Sequence, residues 1–400
     1  MTHDRPLPDA NLPPFDGGRS LMLGGAVAGT AGLFLTLVGG RAALYSYLIA
    51  FVYWLGLSLG ALALVMANNT AGARWNVVVR RLGETLASTV PLFILLFIPL
   101  LLGAKQIWFW IDPPAQGLPK EMIALLQHKK PYLNSGFFTV RAIIYFVVWC
   151  ALALLLRAWS VRQDESGAAL LTRRQRRLSA PGMVLLILTV TFAAFDWLMS
   201  LHPTWFSTIF GLYVFAGAFV GSLALLCLIV TGLRSGQSPL GRIISAEHQH
   251  NLGKLLFAFV CFWAYLAFSQ YMLIWAGNLP EEVTWIVARS RGVWRPVGIL
   301  ILLGHFVVPF FLLLSRDLKR SPPALAAIAA WMLVIHYIDL YWIVMPAASL
   351  DTLGLHWTHF TAFIGVGGLS VAAAVFMLRG VRPLPVRDPY LEDSLRYVQP

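Results

Sequence analysis

The chain has 400 residues, of which 58% are apolar and only 12% charged, with a formal net charge of +12. Soluble domains carry roughly 45–50% apolar and ~25% charged residues, and a soluble fold of this length has too little interior to hide the excess. The basic residues lie in loops between apolar runs, a topology signal of membrane proteins that argues against nucleic acid as the reason for the charge.

The apolar residues arrive in blocks long enough to cross a hydrocarbon core, which takes ~20 helical residues. Spans are expected at 21–40, 43–66, 85–104, 137–157, 182–202, 206–232, 253–277, 295–315, 324–346 and 357–378. Helix is the only sensible conformation, since lipid-facing backbone must satisfy its hydrogen bonds within the segment. The alternating ~10-residue strands of a barrel do not appear. The expected fold class is therefore an all-α integral membrane protein with about ten transmembrane helices. A tail at 1–20 precedes spans one to four (21–157), a basic loop at 158–181 leads into spans five to ten (182–378), and a second tail fills 379–400. The first run does not read as a cleaved signal peptide, because residues 1–18 are acidic and proline-rich (Asp4, Asp9, Asp16).

Two segments outside the spans stand out. Trp75, Val77, Val78, Val79 and Leu82 interleave with Arg74, Arg80 and Arg81, which suggests a short amphipathic helix lying on the interface. The stretch 105–136 holds Trp108, Trp110 and Tyr132 and reads either as a cap, or docking segment, or as an interfacial aromatic belt. GxxxG spacings at Gly25/Gly29, Gly56/Gly60 and Gly217/Gly221 suggest close helix crossings. Cys150, Cys227 and Cys261 fall inside apolar runs without a CxxC and read as core residues.

Twenty-one lysines and arginines lie on the side of the two tails and eight on the other, with Arg141 inside span four. That asymmetry predicts both ends on the cytoplasmic side. Arg173, Arg174, Arg176 and Arg177 before span five are its strongest element.

Chemistry is expected at ionisable groups at membrane depth, which are expensive in lipid and face a bundle interior or water path. Asp196 lies in span five and His305 near the middle of span eight. His336 and Asp339 stand three apart on one face of span nine. Span seven brings Tyr265, Ser269, Gln270 and Tyr271, preceded by Glu247, His248, His250 and Lys254. Each has a plainer reading: a helix-bridging histidine, a buried acid paired with a Tyr or Trp, ordinary polar flanking. The sharper one is a proton path: Glu247 and His250 at an inner mouth; His305, Tyr265 and Ser269 between; Asp196, His336 and Asp339 in one polar seam. An imidazole passes a proton near neutral pH and a carboxylate one turn away orients it. No catalytic, metal-binding or cofactor-binding set is expected; a bis-histidine haem between His305 and His336 is the one weak redox candidate.

Several stretches resemble the membrane protein designated F in bacterial alternative complex III. They are His250-Asn-Leu-Gly-Lys-Leu-Leu-Phe-Ala-Phe through Phe-Trp-Ala-Tyr-Leu-Ala-Phe-Ser-Gln-Tyr to Asn278-Leu-Pro-Glu-Glu282, Phe195-Asp-Trp-Leu-Met-Ser-Leu with Trp205-Phe-Ser-Thr-Ile-Phe-Gly, His336-Tyr-Ile-Asp-Leu-Tyr-Trp, and the tail Asp388-Pro-Tyr-Leu-Glu-Asp-Ser-Leu. The resemblance covers nearly the whole chain. It is to membrane subunits of the polysulfide-reductase type and implies two four-helix bundles plus flanking helices. It implies a place in the bacterial inner membrane within a respiratory or photosynthetic complex that oxidises quinol. The implied partners are a related quinol-binding membrane subunit, iron–sulfur and cytochrome c subunits, and the lipid bilayer. Haem and iron–sulfur clusters would sit in those partners, with no prosthetic group and no independent catalysis in this chain, only a proton path. Two positions depart from the family pattern: His202 and Asn251 stand where an acid is common, which alters any path needing carboxylates there. Two other classes compete, a proton-coupled secondary transporter and a purely structural anchor. The expected broken helices and internal repeats of a transporter are not evident.

Overall fold

The hydropathy pattern translates into helices almost throughout, and among the described residues there is no strand. The protein is seen in a computed structural model that describes residues 10–114 and 117–398; Asp4 and Asp9 of the acidic tail lie outside them. Ten helices are long and apolar enough to cross a bilayer. Spans one to five are Arg19–Leu37, Ala43–Ala71, Val77–Leu102, Ser135–Ser166 and Ala169–Leu201. Spans six to ten are Phe210–Ser235, Ala246–Gly277, Trp294–Leu314, Pro322–Ala347 and Thr358–Leu378. This is an all-α, multi-pass membrane protein.

Spans two to five pack as one ring of four helices and spans six to nine as a second, with two, five, six and nine forming the seam between them. Spans one and ten pair with each other and lie against span two. The Gly25/Gly29 and Gly56/Gly60 pairs sit at these crossings. A Cβ on Gly29 would come within 2.7 Å of the Leu369 backbone nitrogen, and one on Gly60 within 2.3 Å of the Ser222 hydroxyl. Only glycine lets spans one and ten, and two and six, approach so closely.

Two expectations need correction. The basic stretch 158–181 is not a loop: spans four and five run to Ser166 and from Ala169, leaving Gly167 and Ala168 between them. Gly167 takes a left-handed φ of 62° that ends span four, and arginine, a good helix former, continues span five beyond the apolar core. The segment at Trp75–Leu82 does not lie on an interface either. It enters the first turns of span three, with Arg80 and Arg81 buried. Arg80 pairs with Glu84 at 3.1 Å and with Asp388 at 2.7 Å, while Arg81 pairs with Asp164 at 2.7 Å. The charges face inward because these acids come from the next turn of span three itself, from span four and from the C-terminal tail. The C-terminal tail is thus a latch. Besides Asp388, its Asp393 pairs with Arg74, and the Ser394 hydroxyl donates to the Trp75 carbonyl. Span three then breaks over Ser88–Pro91, where Pro91 has no N–H to give and the Ser88 and Thr89 hydroxyls donate back to the Glu84 and Leu86 carbonyls, which also take the backbone N–H groups of these two residues.

On the opposite face, the start of 105–136 forms a cap, whereas none of Lys120–Lys129 is buried. Trp108 and Trp110 are buried against Phe138, and the Trp108 indole donates to the Trp197 carbonyl at 3.2 Å. They close the end of the first bundle over its aromatic core.

Candidate functional site

The structure divides the expected polar seam in two. Asp196 belongs to the first bundle, where Arg141 of span four grips its carboxylate with two hydrogen bonds of 2.8 Å and the Tyr145 hydroxyl donates to it at 2.7 Å. Arg141 itself lies over the Tyr132 and Phe137 rings and donates to the Tyr132 carbonyl. Asp196 is thus a closed ion pair. The next face of span five, Ala193, Ala194, Trp197 and Leu198, lines a small void of about 40 Å³ that separates it from His336. Apart from the edge of His336 this void is walled by apolar residues and glycines, so no polar group joins the two acids across it.

In the second bundle His305, His336 and Asp339 do converge, with one ligand atom of each lying within 4.8 Å of the others. All three are buried, at 0%, 2% and 2% exposure. Each is placed by local sequence. Span eight widens into a π-helical turn over Leu302–Val307 that carries His305. Pro309, four residues on, would press its ring into the His305 carbonyl in a regular helix, and the wider turn relieves that clash. The Trp331 indole donates to the Gly304 carbonyl at 2.8 Å and ties this turn to span nine. The His305 ring stacks on Trp263 of span seven, centroids 3.8 Å apart. His336 lies flat against span six, where a Cβ on Gly217 or Gly221 would meet the imidazole at 3.1 or 2.9 Å. That GxxxG pair therefore makes room for a side chain rather than for a helix. Tyr53 covers the ring's other side, centroids 5.4 Å apart. Asp339 accepts a hydrogen bond from the Tyr213 hydroxyl.

Among the described residues neither nitrogen of His305 or of His336 has a protein partner. A neutral imidazole presents one donor and one lone pair, and leaving a buried polar atom unpaired costs about 1–3 kcal/mol. Two lone pairs facing a carboxylate make a natural seat for one positive charge, a proton or a metal ion. A tetrahedral zinc-like ion with bonds of ~2.0–2.2 Å would need the donors roughly 3.3–3.6 Å apart; a directly shared proton needs them closer, at ~2.5–3.0 Å, and a bridging water spans a wider set.

The remaining candidates fall elsewhere. Tyr265 is 64% exposed on the outside of span seven, and Ser269 one turn on lies off the buried face made by Leu256, Val260, Trp263, Leu266 and Gln270. Neither lies between a mouth and the cluster, a correction that follows from helix phase alone. Glu247 is held by Arg320 at 2.7 Å. His250 is buried at the same end, thirteen residues or ~20 Å of helix below Trp263. The face between them carries Leu252, Leu256 and Val260, so span seven offers no polar steps from that mouth. His248 caps its own helix through Ser245 and meets the Ser394 carbonyl at 3.1 Å, serving the tail latch. His202 accepts from Arg289 at 3.1 Å. Burial, with that cation beside it, pushes its imidazole down to about 3, so it is neutral at pH 7 and does not replace an acid as a proton carrier. Asn251 is buried.

The sequence reading missed Tyr213, Trp263 and Arg289. Arg289 is 1% exposed and donates to the Trp285, Trp342 and Ile343 carbonyls. Burial lowers it to about 9, still cationic at pH 7. Its legible signal was an arginine on the face where the charge asymmetry calls for few.

Fold and site together define a multi-pass helical membrane protein with a buried histidine–aspartate cluster in its second bundle. No protein-family model matches the chain, and no curated protein matches it.

Proposed function

We propose that this chain is a membrane subunit of a quinol-oxidising electron-transfer complex of the alternative complex III type, and that its second bundle holds a proton site. In this reading it lies in the bacterial inner membrane and binds no redox centre. It partners a related quinol-binding subunit, while iron–sulfur and cytochrome c subunits carry the electrons. The observation that carries the proton site is the set of four unpartnered imidazole nitrogens beside Asp339 and Tyr213. Support for the family comes from where its motifs fall. His336-Tyr-Ile-Asp supplies two of the three clustered groups, Phe195-Asp-Trp supplies the ion-paired acid, and the Asp388 tail supplies the latch.

Affinity purification of the tagged full chain from its own membranes in mild detergent tests this reading. Co-purifying c-type haem and iron–sulfur subunits with quinol-dependent electron transfer are expected. A chain that purifies alone and moves a solute against a proton gradient would replace the proposal with the transporter. The charge asymmetry adds a topology prediction: cytoplasmic reporters placed at Gly167–Ala168 and after Pro400 should be active. Activity of a periplasmic reporter at either site would invert the protein.

A further inference from the structure

Spans seven and eight pack most closely along Val308–Leu314, and toward the opposite face they enclose an open cavity of about 880 Å³. Its walls are aromatic and aliphatic, with Phe268, Trp285, Leu302, Phe306 and Phe310 among them. Its mouth is different. Arg289 and Arg295 line it, Arg291 lies on the adjoining exposed turn, and among the described residues none of the three is paired with a carboxylate. The Arg289 guanidinium already gives four of its five N–H groups to three carbonyls and to His202. Those partners hold it in place and leave its charge without a side-chain counter-ion. Glu281 and Glu282 sit at the other end of the Pro280–Arg289 helix. Deeper in, Gln270 is 6% exposed, and its amide oxygen has no partner.

We propose that this cavity binds an anionic phospholipid, with the phosphate at the arginine mouth and one acyl chain along the apolar wall between spans seven and eight. Charge selects the class: arginine forks match phosphate oxygens, and basic pockets between transmembrane helices take anionic headgroups. Length agrees. From Arg295 to Phe310 the wall rises ~22 Å along the helix, more than one leaflet of a ~30 Å hydrocarbon core. A headgroup hydroxyl or bound water reaches Gln270. The bound chain would complete the bundle wall outside Tyr213 and keep the cluster dry. The inference is independent of the quinol-complex reading, because it uses the cavity and its charges alone.

The test is native mass spectrometry of the full chain in mild detergent, titrated with dioleoylphosphatidylglycerol, dioleoylphosphatidylcholine or a short-chain ubiquinone. One phosphatidylglycerol per chain should persist under conditions that strip phosphatidylcholine. Arg291→Gln combined with Arg295→Gln should weaken it about tenfold or more, at ~1 kcal/mol per charge. Gly298→Leu should weaken it too, since a Cβ there points into the cavity with its nearest neighbour, Trp342, at 3.6 Å. Should that variant not fold, the arginine pair still decides, because both residues are exposed. Equal retention of the two phospholipids, wild-type retention by the arginine variant, or preferential retention of the ubiquinone would each overturn the proposal.

Discussion

Asp196→Ala should prevent folded protein from accumulating, whereas Arg141→Met with Asp196→Leu should restore most of it. The single change strands Arg141, which is 6% exposed at membrane depth and has no other carboxylate among the described residues. Breaking a buried pair from one side costs about 3–5 kcal/mol, a large part of a total stability of ~5–15 kcal/mol. Removing both charges removes the desolvation penalty with them, and well-packed apolar replacements of buried pairs are often neutral. Tyr145 loses an acceptor in either case, so recovery will be incomplete. Size-exclusion yield and melting temperature in detergent measure the difference. Asp196→Asn is the decisive control: if it folds normally yet alters proton coupling, Asp196 is a carrier after all and the closed-pair assignment is wrong.

The count of spans and their centres were legible because hydrocarbon thickness imposes a run length on sequence. Where the helices end was not. Span four continues through Arg157 and Asp164, and span five starts among arginines, since composition reports where lipid stops rather than where hydrogen bonding does. The buried charges were legible one at a time, their partners only rarely. Arg80–Glu84 has helical spacing and could have been read, but Arg80–Asp388 and Arg141–Asp196 join residues 308 and 55 apart in sequence. His336 and Asp339 were found by their spacing on one helix, and His305 by its depth. Helix phase separates Tyr265 from that set, and a count from Trp263 along the buried face would have excluded it. Tyr213 was hidden because a tyrosine near a helix end reads as interfacial belt until Asp339 is known to face it.

Asp339→Asn in the assembled complex is expected to leave assembly intact and change proton coupling or turnover. Its carboxylate is 2% exposed and accepts from the Tyr213 hydroxyl, with the Trp263 indole beside it. A carboxylate at mid-membrane costs at least ~2.5–3.5 kcal/mol on insertion scales, and packing alone does not require one. Binding a proton removes that charge, and His305 and His336 lie within 4.8 Å, close enough for one bridging water to deliver or take it. Asparagine keeps the size and an acceptor for Tyr213 while removing the titrating group. His336→Gln should behave likewise, since the glycine bed of span six leaves room for a side chain of that length. Tyr213→Phe should have a smaller effect of the same sign, because it frees the carboxylate without abolishing it. Each variant needs two readings, the yield of assembled complex and proton movement per quinol oxidised in sealed vesicles. A structural network would lose assembly in step with function, and a relay would lose function alone. Unchanged coupling and turnover in both Asp339→Asn and His336→Gln would leave these residues a structural role only. Stoichiometric zinc or iron in the isolated chain, lost in the same two variants, would mean that the positive charge they seat is a metal ion instead of a proton.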